Sequence, residues 1–186
     1  PVRGVAMVDG AQIVLVDTPG VFAPRRRLDR AMVAAAWKGA EEADVVVHVV
    51  DAAAEDRARS GGGSAADKAS RADDERVLEG LLAQGRRALL VLNKIDLLPK
   101  EHLLALAEAL SAGGAYDKVF MVSASKGHGV KDLVAEMASR MPEGPWLYPE
   151  DQAADLPGRL LAAEVTREKV FLRLHEELPY KSTVET

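Results

Sequence analysis

The sequence predicts an α/β fold with a mostly parallel sheet and flanking helices. Two observations predict it. Short, continuous apolar runs alternate with amphipathic stretches of helical period. The chain of 186 residues is 48% hydrophobic but only 4% aromatic, so Ala, Leu and Val fill the core, as suits helices on a buried parallel sheet.

Taken in order, Val2 to Val8 and Gln12 to Val16 read as a hairpin around the Asp9-Gly10 turn. Asp17-Thr18-Pro19-Gly20 stops its second strand. Leu28 to Glu42 has helical spacing, with Met32, Ala35, Ala36 and Gly39 on one face. Val45 to Val50 is a strand apolar on both faces. Residues 52–74, with Ser60-Gly61-Gly62-Gly63-Ser64 at their centre, read by composition as a flexible insertion. Helix, strand, helix, strand, helix follow at Glu75–Gln84, Ala88–Leu92, Glu101–Ser111, Val119–Val122 and Val130–Arg140. Pro142, Pro145 and Pro149 mark a linker, 143–156. A last helix is expected from Pro157 to Glu176, then the start of a strand from Tyr180.

Composition narrows the function classes. A formal charge of −5 argues against a chain-wide electrostatic grip on nucleic acid. With no cysteine there is neither a disulfide framework nor a thiolate metal site, which fits a cytoplasmic home. No apolar run approaches the ~18 residues of a membrane-spanning helix. His48, inside an apolar strand, reads as a satisfied core residue.

In parallel sheets ligands gather at the carboxyl ends of the strands, and three loops there carry chemistry. Asn93-Lys94-Ile95-Asp96 follows a strand. The Asp96 carboxylate can accept from the N1–H and N2–H₂ of guanine, where adenine offers no such donors. Asn93 can tie neighbouring loops together, and the Lys94 stem can lie over the base. Ser123-Ala124-Ser125 follows the next strand, and a small residue there lets a backbone N–H approach guanine O6. Asp17-Thr18-Pro19-Gly20 follows the hairpin. Asp17 can hold Mg²⁺ through water, and Gly20 can bring its N–H to a γ-phosphate. Order and placement of the three loops point together to a guanine nucleotide. The phosphate-cradling pattern G-x-x-x-x-G-K-[ST] does not occur. Where Gly61 would require Gly-Lys stands Ala66-Asp67.

The residues resemble the Era family of bacterial GTPases, over nearly the whole chain. The resemblance rests on Asp17-Thr18-Pro19-Gly20-Val21-Phe22, Arg25-Arg26-Arg27-Leu28-Asp29-Arg30-Ala31-Met32, Asn93-Lys94-Ile95-Asp96 and Ser123-Ala124-Ser125-Lys126-Gly127. Its more specific part is Tyr148-Pro149-Glu150-Asp151-Gln152, Arg167-Glu168-Lys169 and Glu177-Leu178-Pro179-Tyr180. It implies a P-loop GTPase-type domain over 1–142, without its first, central strand, and the N-terminal part of a KH domain over 157–186, as if truncated at both ends. It also implies GTP/GDP and Mg²⁺ as ligands, with Asp17 at the metal. Small-subunit ribosomal RNA and the ribosomal subunit are its implied partners, in 30S assembly. The implied location is the cytoplasm, with peripheral association to the inner membrane. Val21 then stands where other GTPases have a catalytic Gln, so no catalytic residue is assigned. Two other readings stay open: a non-catalytic guanine-nucleotide-type module meeting RNA or protein through Arg25–Arg30, and another ribosome-assembly GTPase.

Overall fold

The computed structural model describes residues 3–18, 20–24, 27–151 and Thr166. Pro19, Arg25, Arg26 and the helix and strand expected within 157–186 lie outside the described residues.

The hairpin forms as its turn demands. Strands β1 (Arg3–Val8) and β2 (Ala11–Val16) pair antiparallel, with Val8 opposite Ala11. Asp9 and Gly10 both have positive φ, at 49° and 82°, the turn hand that matches strand twist. Helix α1 (Arg27–Glu42) follows, then β3 (Val47–Asp51), β4 (Ala88–Asn93) and β5 (Tyr116–Met121), which form a parallel sheet in the order β3-β4-β5. The middle strand β4 is buried from Ala88 to Leu92. Its two faces feed two cores. Val50, Leu90 and Leu92 pack with Leu81 of α3 (Ala65–Ala83) and with Leu103, Leu106 and Leu110 of α4 (Lys100–Ser111). Leu89 packs on the other face with Met137 of α5 (Val130–Ser139) and Ile13 of β2.

That last contact matters, because among the described residues no ladder joins the hairpin to the three-stranded sheet. The fold is the α/β arrangement the alternation predicts, with a break in the sheet between β2 and β3. Side-chain packing through Ile13 bridges it.

One expectation fails. Residues 52–74 are not a flexible insertion. Helix α2 (Ala52–Arg59) starts directly after β3, and α3 begins at Ala65 rather than Glu75, leaving only Ser60 to Ser64 between them. Three local causes outweigh the glycine-serine composition. Alanine favours helix, and Ala52, Ala53 and Ala54 are buried. Asp51 Oδ1 accepts the Ala54 amide at 3.0 Å, capping α2. Ser64 and Asp67 form a reciprocal capping box at the start of α3. Arg57 then joins Asp67 across the turn at 2.6 Å. The glycines are confined to the connection. Strand β5 also starts earlier than its apolar run, at Tyr116 instead of Val119.

His48 is the core residue the sequence predicts. It is 7% exposed, with Nδ1 2.7 Å from the Tyr116 hydroxyl and Nε2 3.0 Å from Asp74.

Candidate functional site

The ends of β4 and β5 bring two of the three loops together. Asn93 closes β4, and Lys94 turns the chain in the left-handed region at φ 64° into a 3₁₀ turn at Ile95–Leu97. Asn93 Oδ1 accepts two amides, Lys94 N at 2.8 Å and Ala124 N at 3.1 Å. One side-chain oxygen therefore shapes its own loop and pins the next. The Ile95 amide donates to Val122 O at 3.3 Å, adding a backbone tie between the same loops.

The second loop is held open by its own bonds. Ser123 is fully buried, and its amide donates to His128 O at 3.0 Å. Gly129 has φ 70° and lies so close to the Met121 carbonyl that a side chain would collide with it. Only glycine meets both demands, and α5 starts immediately after. Ala124 and Ser125 are left exposed.

Electrostatics suit Asp96 to accept hydrogen bonds. A bond from Ser123 is the main cause holding its carboxyl below the usual carboxylate range. Slight desolvation of this exposed carboxyl opposes it, and the charges of Lys126 and His128 assist. The group is thus an anion at neutral pH. Lys94 extends the other way and donates Nζ to Asp51 Oδ2 at 2.5 Å.

The third loop follows β2 of the hairpin. Asp17, Thr18 and Gly20 are exposed past the end of β2, and Val21 is half-buried. Thr18 packs against α1, its Cγ2 3.4 Å from where a side chain on Gly39 would begin. Among the described residues no group of three or more His, Cys, Asp or Glu could hold a metal. Asp17 offers one carboxylate, which fits Mg²⁺ only where phosphates and water supply the remaining ligands.

Sequence reasoning missed one contributor, Asp51, whose hold on Lys94 needs the β3–β4 pairing that sets Asp51 opposite Asn93. Ser123, expected at the site, supplies the bond that lowers the Asp96 pKa. No described helix is long and apolar enough to cross a membrane.

Comparison with known proteins places this geometry. A family model described as "50S ribosome-binding GTPase" matches residues 1–94. GTPase Era of Caulobacter vibrioides (strain NA1000 / CB15N) is 60% identical over 186 residues, covering 100% of this chain and 59% of the relative. GTPase Era of Maricaulis maris (strain MCS10) is 60% identical over 185 residues, again covering 100% of this chain and 59% of the relative. The crystal structure of Era in complex with MgGDPNP and nucleotides 1506-1542 of 16S ribosomal RNA superposes with a TM-score of 0.74 at 33% identity. It covers 96% of this chain and 56% of that one. A variant of Aquifex aeolicus Era bound to GDP and aluminium fluoride gives 0.73 at 34% identity, with the same coverage. The chain thus spans 59% of the length of these two curated relatives.

Proposed function

Because the chain belongs to the Era family of GTPases, we propose that it reads guanine nucleotides with Asn93, Lys94, Ile95, Asp96, Ser123, Ala124 and Ser125. The observation that carries this reading is the double bond-acceptance by Asn93, which joins the loop bearing Asp96 to the loop bearing Ala124. Asp96, kept ionised, accepts the N1–H and N2–H₂ of the base. The Ala124 amide, spent on Asn93 without ligand, turns to share its proton with guanine O6. Adenine presents an amine there and an unprotonated N1 to Asp96, leaving polar groups on both sides unpaired.

Asp17, Thr18, Pro19, Gly20 and Val21 form the phosphate-sensing loop in this reading. Asp17 would help hold Mg²⁺, which would supply charge neutralisation at the phosphates, and the Gly20 amide would meet the γ-phosphate. Val21 has no polar group to orient water, and no G-x-x-x-x-G-K-[ST] occurs in the 186 residues. The wider role we propose is that of a GTP-dependent switch in 30S subunit assembly that meets small-subunit ribosomal RNA. The solved Era complex with 16S ribosomal RNA supports it. We propose the cytoplasm as its location, and peripheral association with the inner membrane on the family resemblance alone.

Asp96→Asn tests the base assignment. Its amide N–H would face the guanine N1–H but pair with the O2 of xanthine. Titration with GDP and XDP should therefore show the preference reversed from guanine to xanthine. An unchanged preference removes Asp96 from the site.

A further inference from the structure

Gln12 makes a connection that the proposed nucleotide chemistry does not use. It sits half-buried in β2, and its amide is bonded to the backbone of the segment after α5. Oε1 accepts from Leu147 N at 2.9 Å and from Tyr148 N at 3.0 Å, while Nε2 donates to Tyr148 O at 2.8 Å. Nε2 also lies 3.6 Å from Met7 Sδ, on the partner strand. An acceptor and a donor in one rigid plane are what a backbone peptide presents to a neighbouring strand, and glutamine supplies both. Two further bonds run between the same partners. Trp146 Nε1 donates to Gly10 O at 3.4 Å, and Arg3 donates to the Tyr148 hydroxyl at 3.3 Å.

Every one of these contacts from the exit segment lands on the hairpin. The hairpin itself has no ladder to the three-stranded sheet among the described residues, and β2 ends at Val16, just before Asp17. The two halves of the candidate site thus rest on different sheets. The guanine loops stand on β4 and β5, and the Asp17–Gly20 loop stands on the hairpin.

We infer that Gln12 is a positioning residue that seats residues 146–148 on the β1–β2 hairpin. The point and direction at which the chain leaves α5 are thereby fixed to the strands that carry Asp17, rather than to the sheet that carries Asp96. Displacement of β2 then carries the exit segment with it, and whatever follows Asp151 starts from a foothold on the hairpin. The seating belongs to the hairpin and exit segment alone, so its test requires no nucleotide.

The test is amide hydrogen exchange at Leu147 and Tyr148 in the full 186-residue chain, expressed as protection relative to intrinsic rates. Gln12→Ala should lower protection at both amides by about tenfold or more, because it removes three bonds together, and leave Leu90 and Leu92 unchanged. Gln12→Glu keeps the acceptor for both amides but sets a carboxylate oxygen against Tyr148 O at neutral pH. Protection should therefore fall at pH 7 and recover near about pH 4.5, where the protonated acid regains a donor. Loss of packing alone would show no such acid recovery. Unchanged protection in Gln12→Ala overturns the inference. So does equal protection of Gln12→Glu at both pH values, which decides the matter even if Gln12→Ala loosens the whole chain.

Discussion

Lys94 and Asp51 form an ion pair of 2.5 Å across the ends of β4 and β3, and the other oxygen of the same carboxylate caps α2 through the Ala54 amide. Burial works to raise the Asp51 pKa, but the bonds from Lys94 and Ala54 outweigh it and hold the group below the usual carboxylate range. A left-handed Lys94 is strained by ~1 kcal/mol, and the ion pair secures it there. Asp51→Ala should lower stability by about 1 kcal/mol, mostly through the lost cap. Asp51→Asn keeps a cap acceptor and loses only a half-exposed ion pair, so it should cost less. Urea denaturation measures both, and equal losses would show that capping contributes nothing.

The joint between the loops at Asn93–Asp96 and Ser123–Ser125 rests on Asn93. Asn93→Ala removes the acceptor of two amides, so the Lys94 and Ala124 amide resonances should shift and their exchange quicken. Asn93→Asp retains that acceptor and should leave both amides close to their original positions. If the two variants perturb Ala124 alike, the side-chain oxygen is not what holds the loops.

Trp37 of α1 packs against Gly80 of α3, so close that a methyl group on Gly80 would overlap its six-membered ring. Gly80→Ala should destabilise by about 1–3 kcal/mol, as overpacking does, although alanine is the better helix former. Pairing it with Trp37→Leu should recover part of that loss in a double-mutant cycle. Simple additivity would place the strain elsewhere.

Arg140 braces α5 against β5. It reaches Asp117 at 2.9 Å and Glu136 at 2.8 Å, with Arg87 also on Asp117 and Lys118 also on Glu136. Bonds from Arg140 and then Arg87 lower the Asp117 pKa, and bonds from Lys118 and then Arg140 lower that of Glu136. For carboxyls depressed on folding, the stabilisation is complete above the unfolded values of about 4 and fades as pH falls through the folded ones. Arg140→Ala should thus be less stable than the parent at pH 7, and the gap should close toward pH 3. Urea midpoints at the two pH values check it. A gap of constant size would assign the loss to packing.

Much of the fold was legible because its signals are local. Asp9-Gly10 announced the hairpin, and the apolar run Ala88–Leu92 announced the central strand. The loops at Asn93–Asp96 and Ser123–Ser125 were legible as loops because each follows its strand closely. Residues 52–74 misled because a glycine-serine run is conspicuous, whereas the caps at Asp51 and Ser64 are single side chains flanking it. The start of β5 was hidden by the polar Asp117-Lys118 pair. Gln12 and Asp51 were illegible as positioning residues for another reason. Their partners lie 136 and 43 positions away, where no local pattern can point to them.

The Gln12 strap also orders events in time. Asn93 and Ala124 are separated by 31 positions, Gln12 and Tyr148 by 136. Closing the longer loop from an open chain costs ~1 kcal/mol more in entropy. A ribosome making this chain releases the guanine loops before Tyr148 has left it, so they can join while the hairpin still waits. The strap is then the last of these contacts to form during synthesis. Held by part-buried and exposed bonds rather than a fully buried core, it should open more readily than the β4 core when the native protein breathes.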